Sequence, residues 1–79
     1  MRFDILLRMD DFLRRLAEVL EVPEVRAEDD FRGFDMWDSL TAFAIRVLIE
    51  QRYGRKVSAE ELKAARTARD LAALAGVAP

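Results

Sequence analysis

The sequence predicts an all-α protein, a small four-helix bundle with three longer helices and one short helix. Apolar residues recur at three- and four-residue intervals over long stretches, as on the buried side of a helix. Helix-capping motifs precede the later stretches, and no segment alternates polar and apolar residues as a half-buried strand does. The 79 residues suffice for one domain, which we assign to residues 1–79.

The first predicted helix runs from Ile5 to Leu20. Asp4 is a candidate for its N-cap, because a short polar side chain there accepts an unpaired backbone N–H. Pro23 ends the pattern, since proline disfavours helical geometry in the residue before it. The apolar positions of this helix are Ile5, Met9, Phe12, Leu13, Leu16 and Leu20.

Residues 23–38 have no helical period and contain Gly33, which indicates a loop. Three apolar residues in it, Val25, Phe31 and Phe34, are expected to hold the loop against the core. A connection of this length is unusual in a compact helical domain and often has a function.

The second predicted helix runs from Ser39 to Tyr53, and Gly54 provides its stop. It has more apolar residues than one buried stripe requires. One face holds Ala42, Ile45, Ile49 and Tyr53. A second face holds Leu40, Phe43, Ala44 and Val47, with Leu48 at the border. Either the other helices cover both faces, or part of the second face is exposed and docks partner proteins.

Two capping motifs predict the remaining helices. They are formed by Ser58 with Glu61, and by Thr67 with Asp70. The first opens a short helix that continues to about Ala65. The second opens the last helix, which carries Leu71 and Leu74 and stops at Gly76.

Composition excludes several classes of function. Cysteine and histidine are absent, which removes disulfides, thiolate nucleophiles and the usual general base. A net charge of −2 does not suggest a nucleic-acid binder. No apolar run approaches the length of a membrane span, and the N-terminus is too charged for a signal peptide. We therefore expect a cytoplasmic protein that binds neither nucleic acid nor membrane.

Ser39 has more than one interpretation from the residues alone. Serine is a common helix cap. A serine nucleophile needs an adjacent base and an oxyanion hole, and the base here would have to be Lys56, Lys63 or a carboxylate. The spacing shows no such arrangement, so we expect no catalytic residue.

The order of these elements resembles that of an acyl carrier protein, in a group that includes the peptidyl and other thiolation carriers. The resemblance extends from about Ile5 to Leu74. It rests on D-S-L within "DMWDSLTAFAIRVLIEQRYG", followed by "VSAEEL" and "TARDLAAL" at the separations that the family shows.

This resemblance implies that Ser39 is the attachment site of 4′-phosphopantetheine, with Asp38 and Leu40 as the rest of the motif. A phosphopantetheinyl transferase would transfer the group from coenzyme A. Acyl or aminoacyl groups would be carried as thioesters on its thiol. The implied partners are a loading ligase, a ketosynthase or an acyltransferase, and the implied oligomeric state is a monomer.

The resemblance also makes the second helix the docking helix. Its candidate contacts are Trp37, Thr41, Phe43, Ala44, Arg46, Val47 and Glu50. Two departures from the family pattern stand out. Met36 occupies a position where the family often has glycine, and Glu50 is the only acid between residues 40 and 53.

Fatty-acid-type carriers usually have an acidic second helix, so docking to the enzymes of primary fatty-acid synthesis is not expected. The sequence instead suggests a free-standing carrier for a specialised lipid, polyketide or nonribosomal-type pathway. The alternative is a helical protein-interaction module with the carrier fold, in which Ser39 is only a helix cap and stays unmodified.

Overall fold

The computed structural model describes residues 2–35 and 37–77, and it describes side chains from Leu7 onward. This part of the chain contains four α-helices and one short 3₁₀ helix, which confirms the all-α bundle. The α-helices are α1 (Arg2–Leu20), α2 (Ser39–Tyr53), α3 (Ala59–Ala64) and α4 (Ala68–Leu74), and the 3₁₀ helix is Phe31–Gly33. Within the described residues, no helix is long and apolar enough to cross a membrane.

α4 lies between the predicted cap at Thr67 and the predicted stop at Gly76, but it is not one of the longer helices. It has 7 residues, only one more than the 6 of α3, so the bundle has two long and two short helices. Its ends are fixed by the cap at Thr67 and by Gly76 in the left-handed conformation at φ 80. The N–H of Val77 donates to the carbonyl of Ala72 at 3.0 Å, which closes the last turn.

The start of α1 also differs from the prediction. The helix begins at Arg2, so Asp4 lies inside its first turn and is not the N-cap. The side chains of Asp4 and Ile5 lie outside those that the structure describes.

The core lies between α1, α2 and α4, and α1 packs against both of the other two. The largest side chains in it are fully buried: Phe12, Leu16, Leu20, Phe31, Ile45, Ile49 and Leu71. Val25 is 4% exposed, and Phe34 packs against the cluster. The prediction that apolar residues hold the long loop against the core is therefore confirmed.

The long loop also accepts hydrogen bonds from the start of α4. The backbone N–H groups of Ala68 and Arg69 donate to the carbonyls of Asp29 (2.9 Å) and Ala27 (2.7 Å). Because N–H groups in the first turn of a helix have no partner within that helix, the loop supplies the missing acceptors. The loop is thus attached at its centre, and its end is positioned at the start of α2.

The two predicted capping motifs are both present. The Ser58 hydroxyl accepts the N–H of Glu61 at 3.0 Å, and the Glu61 carboxylate accepts the N–H of Ser58 at 2.9 Å. Thr67 and Asp70 form the same reciprocal pair at the start of α4. Hydrogen bonds from the backbone N–H groups of Arg66 and Thr67 lower the pKa of Asp70 below its usual value.

Candidate functional site

Asp38, and not Ser39, caps α2. Its backbone is extended, and its carboxylate accepts the N–H of Thr41 at 2.8 Å. This backbone hydrogen bond lowers the pKa of the Asp38 carboxyl below its usual value. Ser39 is the first residue of the helix, so the interpretation of Ser39 as the cap is wrong.

The hydroxyl of Ser39 is therefore free for other chemistry. Ser39 is exposed, and among the described residues its side chain has no hydrogen-bond partner. No carboxylate or lysine in that part of the chain is hydrogen-bonded to it. The described residues also contain no group of acidic side chains that could hold a metal ion.

Trp37 anchors the chain just before Ser39. Its ring packs edge-on against Phe31, with 5.0 Å between centroids and an interplanar angle of 73°. Its backbone N–H donates to the carbonyl of Phe34 at 3.1 Å. Phe31 is fully buried, so this contact fixes the approach of the loop to α2. Met36, the other unusual residue of this segment, lies outside the described residues.

A cleft of about 520 Å³ opens beside Ser39, between the start of α2, the loop and α3. Its apolar lining includes Trp37, Phe43 and Leu62. Its charged lining consists of Arg32, Asp38, Arg46 and Lys63. A cleft with an apolar lining and a few polar groups has the composition of a ligand-binding site.

The second apolar face of α2 is largely uncovered. Leu40 is 76% exposed, Phe43 58% and Val47 38%, whereas Ile45 and Ile49 on the opposite face are 0% exposed. The interpretation in which other helices cover both faces is wrong for these three positions. We call Leu40, Phe43 and Val47 the apolar strip. Exposed apolar side chains grouped on one surface often mark an interaction site.

One of the candidate docking residues, Thr41, is buried. Thr41 is only 8% exposed, because it lies one and two helical turns before Ile45 and Ile49 on the buried face. Little of its surface is therefore available to a partner, and its place among the docking residues stays a prediction.

The other candidates lie at or near the surface. Phe43 and Val47 belong to the apolar strip, Trp37 and Ala44 are half-buried, and Glu50 is exposed. Arg46 is half-buried, and its Nε donates to the carbonyl of Val57 at 2.9 Å. This hydrogen bond connects α2 to the segment that precedes α3.

Arg32 and Leu62 were not among the residues predicted for the site, and Lys63 was considered only as a base for Ser39. They are separated from Ser39 by 7 to 24 positions along the chain and line the same cleft only after folding. No local motif marks them, because their proximity depends on how the loop and α3 pack around the start of α2.

The helical bundle, the anchored loop and the exposed serine at the start of α2 are together typical of a carrier domain. A family model described as "Phosphopantetheine attachment site" matches residues 10–75. The match covers most of the chain, so this chain belongs to that family, whose domains carry covalently attached 4′-phosphopantetheine. Such domains are generally non-catalytic and interact with partner enzymes such as transferases and synthases. Searches of curated proteins and of solved structures gave no significant match.

Proposed function

We propose that Ser39 is the attachment site of 4′-phosphopantetheine, and that the protein delivers acyl or aminoacyl groups to partner enzymes in a specialised pathway. The observation that supports this most directly is the division of roles between two adjacent residues. Asp38 caps α2, which leaves the exposed Ser39 hydroxyl without a structural task. A serine that the fold does not use as a cap is available for modification.

The residues around Ser39 fit the group, because Ser39 is exposed and lines a cleft with three cationic side chains that suit a phosphodiester. In loading, Ser39 Oγ forms a bond to the phosphorus next to pantetheine in coenzyme A, and the bond from that phosphorus to the nucleotide breaks. Adenosine 3′,5′-bisphosphate leaves, and we assign removal of the hydroxyl proton to the transferase, because no base in the described residues is hydrogen-bonded to Ser39. When bound, the group supplies a thiol that holds acyl or aminoacyl groups as thioesters. The chain contributes the exposed Ser39 oxygen at the start of α2.

Loading can be tested by intact mass. The protein is incubated with coenzyme A, magnesium and a broad-range phosphopantetheinyl transferase. We expect a gain of one phosphopantetheine, and we expect Ser39→Ala to abolish it while leaving the helical circular dichroism spectrum unchanged.

The matched control is Ser58→Ala, which changes the only other serine of the chain. It removes half of the capping box of α3 and should cost about 1 kcal/mol of stability, but loading should proceed normally. Modification that persists in Ser39→Ala would contradict the proposed site. No modification by several transferases would instead favour an unmodified interaction module.

We further propose that partner enzymes dock on the apolar strip next to Ser39. Its three side chains are exposed, and Glu50 is the only acid in α2. Such a surface suits an apolar docking site on a dedicated ligase, ketosynthase or acyltransferase. It offers little to the basic surfaces that read strongly acidic carriers.

A charge in the strip should prevent this docking. We expect Phe43→Asp and Val47→Asp to accept phosphopantetheine and yet to reduce transfer by the cognate enzyme at least tenfold, because burying an unpaired carboxylate is costly. Leu7→Asp is the matched control, since Leu7 is 53% exposed on α1 and does not line the cleft at Ser39. Transfer at the unmodified rate by both strip variants would exclude the strip as the docking site.

A further inference from the structure

The cleft beside Ser39 carries an excess of positive charge. Three cationic side chains line it, from Arg32, Arg46 and Lys63, against one carboxylate, from Asp38. The chain as a whole has a net charge of −2, so the cleft is opposite in sign to the molecule. A local excess of this kind attracts an anion to the place where Ser39 lies.

The single carboxylate of the cleft is not ion-paired with these cations. Asp38 accepts the backbone N–H of Thr41 at 2.8 Å, which commits the carboxylate to the start of α2. None of the ion pairs found among the described residues joins Asp38 to a cation.

The three cations are held to different degrees. Arg46 is the most fixed, because its Nε donates to the carbonyl of Val57, and the rest of its guanidinium group remains available. Arg32 lies 3.9 Å from the Asp30 carboxylate, a weak ion pair at the surface, and 5.9 Å from the centroid of the Phe31 ring. Lys63 is exposed on α3 and has no partner among the described residues.

We propose that Arg32 and Lys63, supported by Arg46, bind the phosphodiester of the prosthetic group. The inference rests on the proposed function, since the phosphodiester would be bonded to Ser39 Oγ in the same cleft. Guanidinium groups donate paired hydrogen bonds to phosphate oxygens, and a lysine ammonium acts as a mobile positive charge. These contacts keep the near end of the arm in the cleft, between α2 and α3, and not free in solvent.

Phosphorus NMR of the loaded protein tests this contact directly. Wild type, Arg32→Gln, Lys63→Gln and the double variant are loaded to completion, and loading is verified by intact mass. We expect the phosphodiester resonance to shift in each single variant and most in the double variant. High salt should move the wild-type resonance towards that of the double variant, because exposed charge pairs are screened. Where the double variant loads incompletely, the two single variants are compared in its place.

Arg69→Gln is the matched control for loss of one positive charge. Arg69 is exposed on α4 and does not line the cleft, so its replacement should leave the phosphorus resonance unchanged. A wild-type resonance identical to that of the double variant overturns the proposal.

A spin label on the arm gives a second readout. The chain has no cysteine, so the thiol of the prosthetic group is the only one available for labelling. We expect the label to broaden the amide signals of α3 in wild type and to lose this effect in the double variant. Equal broadening in both would overturn the inference. Absence of any mass gain would instead reject the attachment site itself, so the two failures are distinguishable.

Discussion

The two faces of α2 carry similar apolar side chains in opposite surroundings. Ile45 and Ile49 on the inner face are fully buried, whereas Leu40 and Phe43 on the outer face are 76% and 58% exposed. Burying a large apolar side chain is worth about 1.5–3 kcal/mol, and the outer face gains little of this in the isolated chain. The inner face therefore stabilises the fold, and the outer face retains apolar surface that a partner can cover.

The difference arises from the lengths of the elements that surround α2. α1 has 19 residues and packs along the inner face. On the other side, α3 has 6 residues and is about 9 Å long, less than half the length of α2. A helix that short cannot cover the outer face, so the apolar strip stays exposed.

The largest expected effect comes from emptying the inner face. Ile49→Ala should lower the free energy of unfolding by about 2–5 kcal/mol, because it removes buried methyl groups and leaves a cavity. Phe43→Ala on the outer face should change it by no more than about 0.5 kcal/mol. Urea unfolding followed by the fluorescence of Trp37, the only tryptophan, measures both. Similar losses in the two variants would mean that the outer face is covered in solution.

A smaller effect is expected at the edge of the inner face, at the end of α2. The Tyr53 hydroxyl donates to the Asp11 carboxylate at 2.9 Å, and its ring packs edge-on against Phe12 at 5.5 Å. Tyr53→Phe keeps the ring contact and removes the hydrogen bond. It should cost about 1 kcal/mol in urea unfolding, since the carboxylate is partly exposed. A loss as large as that of Ile49→Ala would show that the hydrogen bond, and not the packing, holds α2 to α1.

The hydrogen bond between Tyr53 and Asp11 also makes the stability of the fold depend on pH. Burial and the neighbouring carboxylate of Asp11 raise the pKa of Tyr53 from 10.0 to about 12. Its contribution to stability is therefore complete below pH 10 and is lost as the pH rises towards about 12. The absorbance of tyrosinate, from the only tyrosine of the chain, reports the titration, and Tyr53→Phe should remove this part of the alkaline loss. Titration near pH 10 in the folded protein would contradict the contact.

At acid pH, the dependence of stability on pH has the opposite sign. Partial burial raises the pKa of Asp11, but hydrogen bonds from Tyr53 and Arg15 outweigh it and leave the pKa below 3.8. The contribution of the Asp11 carboxylate to stability is present above pH 3.8. It is lost as the pH falls through the lowered pKa of Asp11 in the folded protein.

The smallest expected change in the free energy of unfolding is at Glu21, a residue that lies on neither face of α2. Glu21, after the end of α1, has a φ of 57, a left-handed conformation that costs a non-glycine residue about 1–2 kcal/mol. Glu21→Gly should raise stability by about 0.5–1 kcal/mol after the greater freedom of glycine in the unfolded chain is subtracted. Loading at Ser39 should not change. Lower stability would show that the Glu21 side chain has a favourable role.

Most of the fold could be predicted from residues close together in the chain. The apolar spacing of α1 and α2, the reciprocal caps at Ser58 and Thr67, and the glycine stops act over about four residues, so a linear reading detects them. The D-S-L motif at the start of α2 is detectable in the same way. The wrong start of α1 has a similar origin, because several residues near a helix end are acceptable starting points.

Other features of the site depended on tertiary structure. The folded chain shows which of two adjacent polar residues caps α2, whereas the spacing of Thr41 from Ile45 and Ile49 already indicates that Thr41 lies on the buried face. It also brings Arg32 and Lys63 from two other elements to the cleft beside Ser39. By itself, the sequence determined the helices and the candidate serine, because local spacing and capping encode them. The surroundings of that serine were known only from the tertiary structure. Long-range packing decides which surfaces of α2 are covered and which charged side chains lie together.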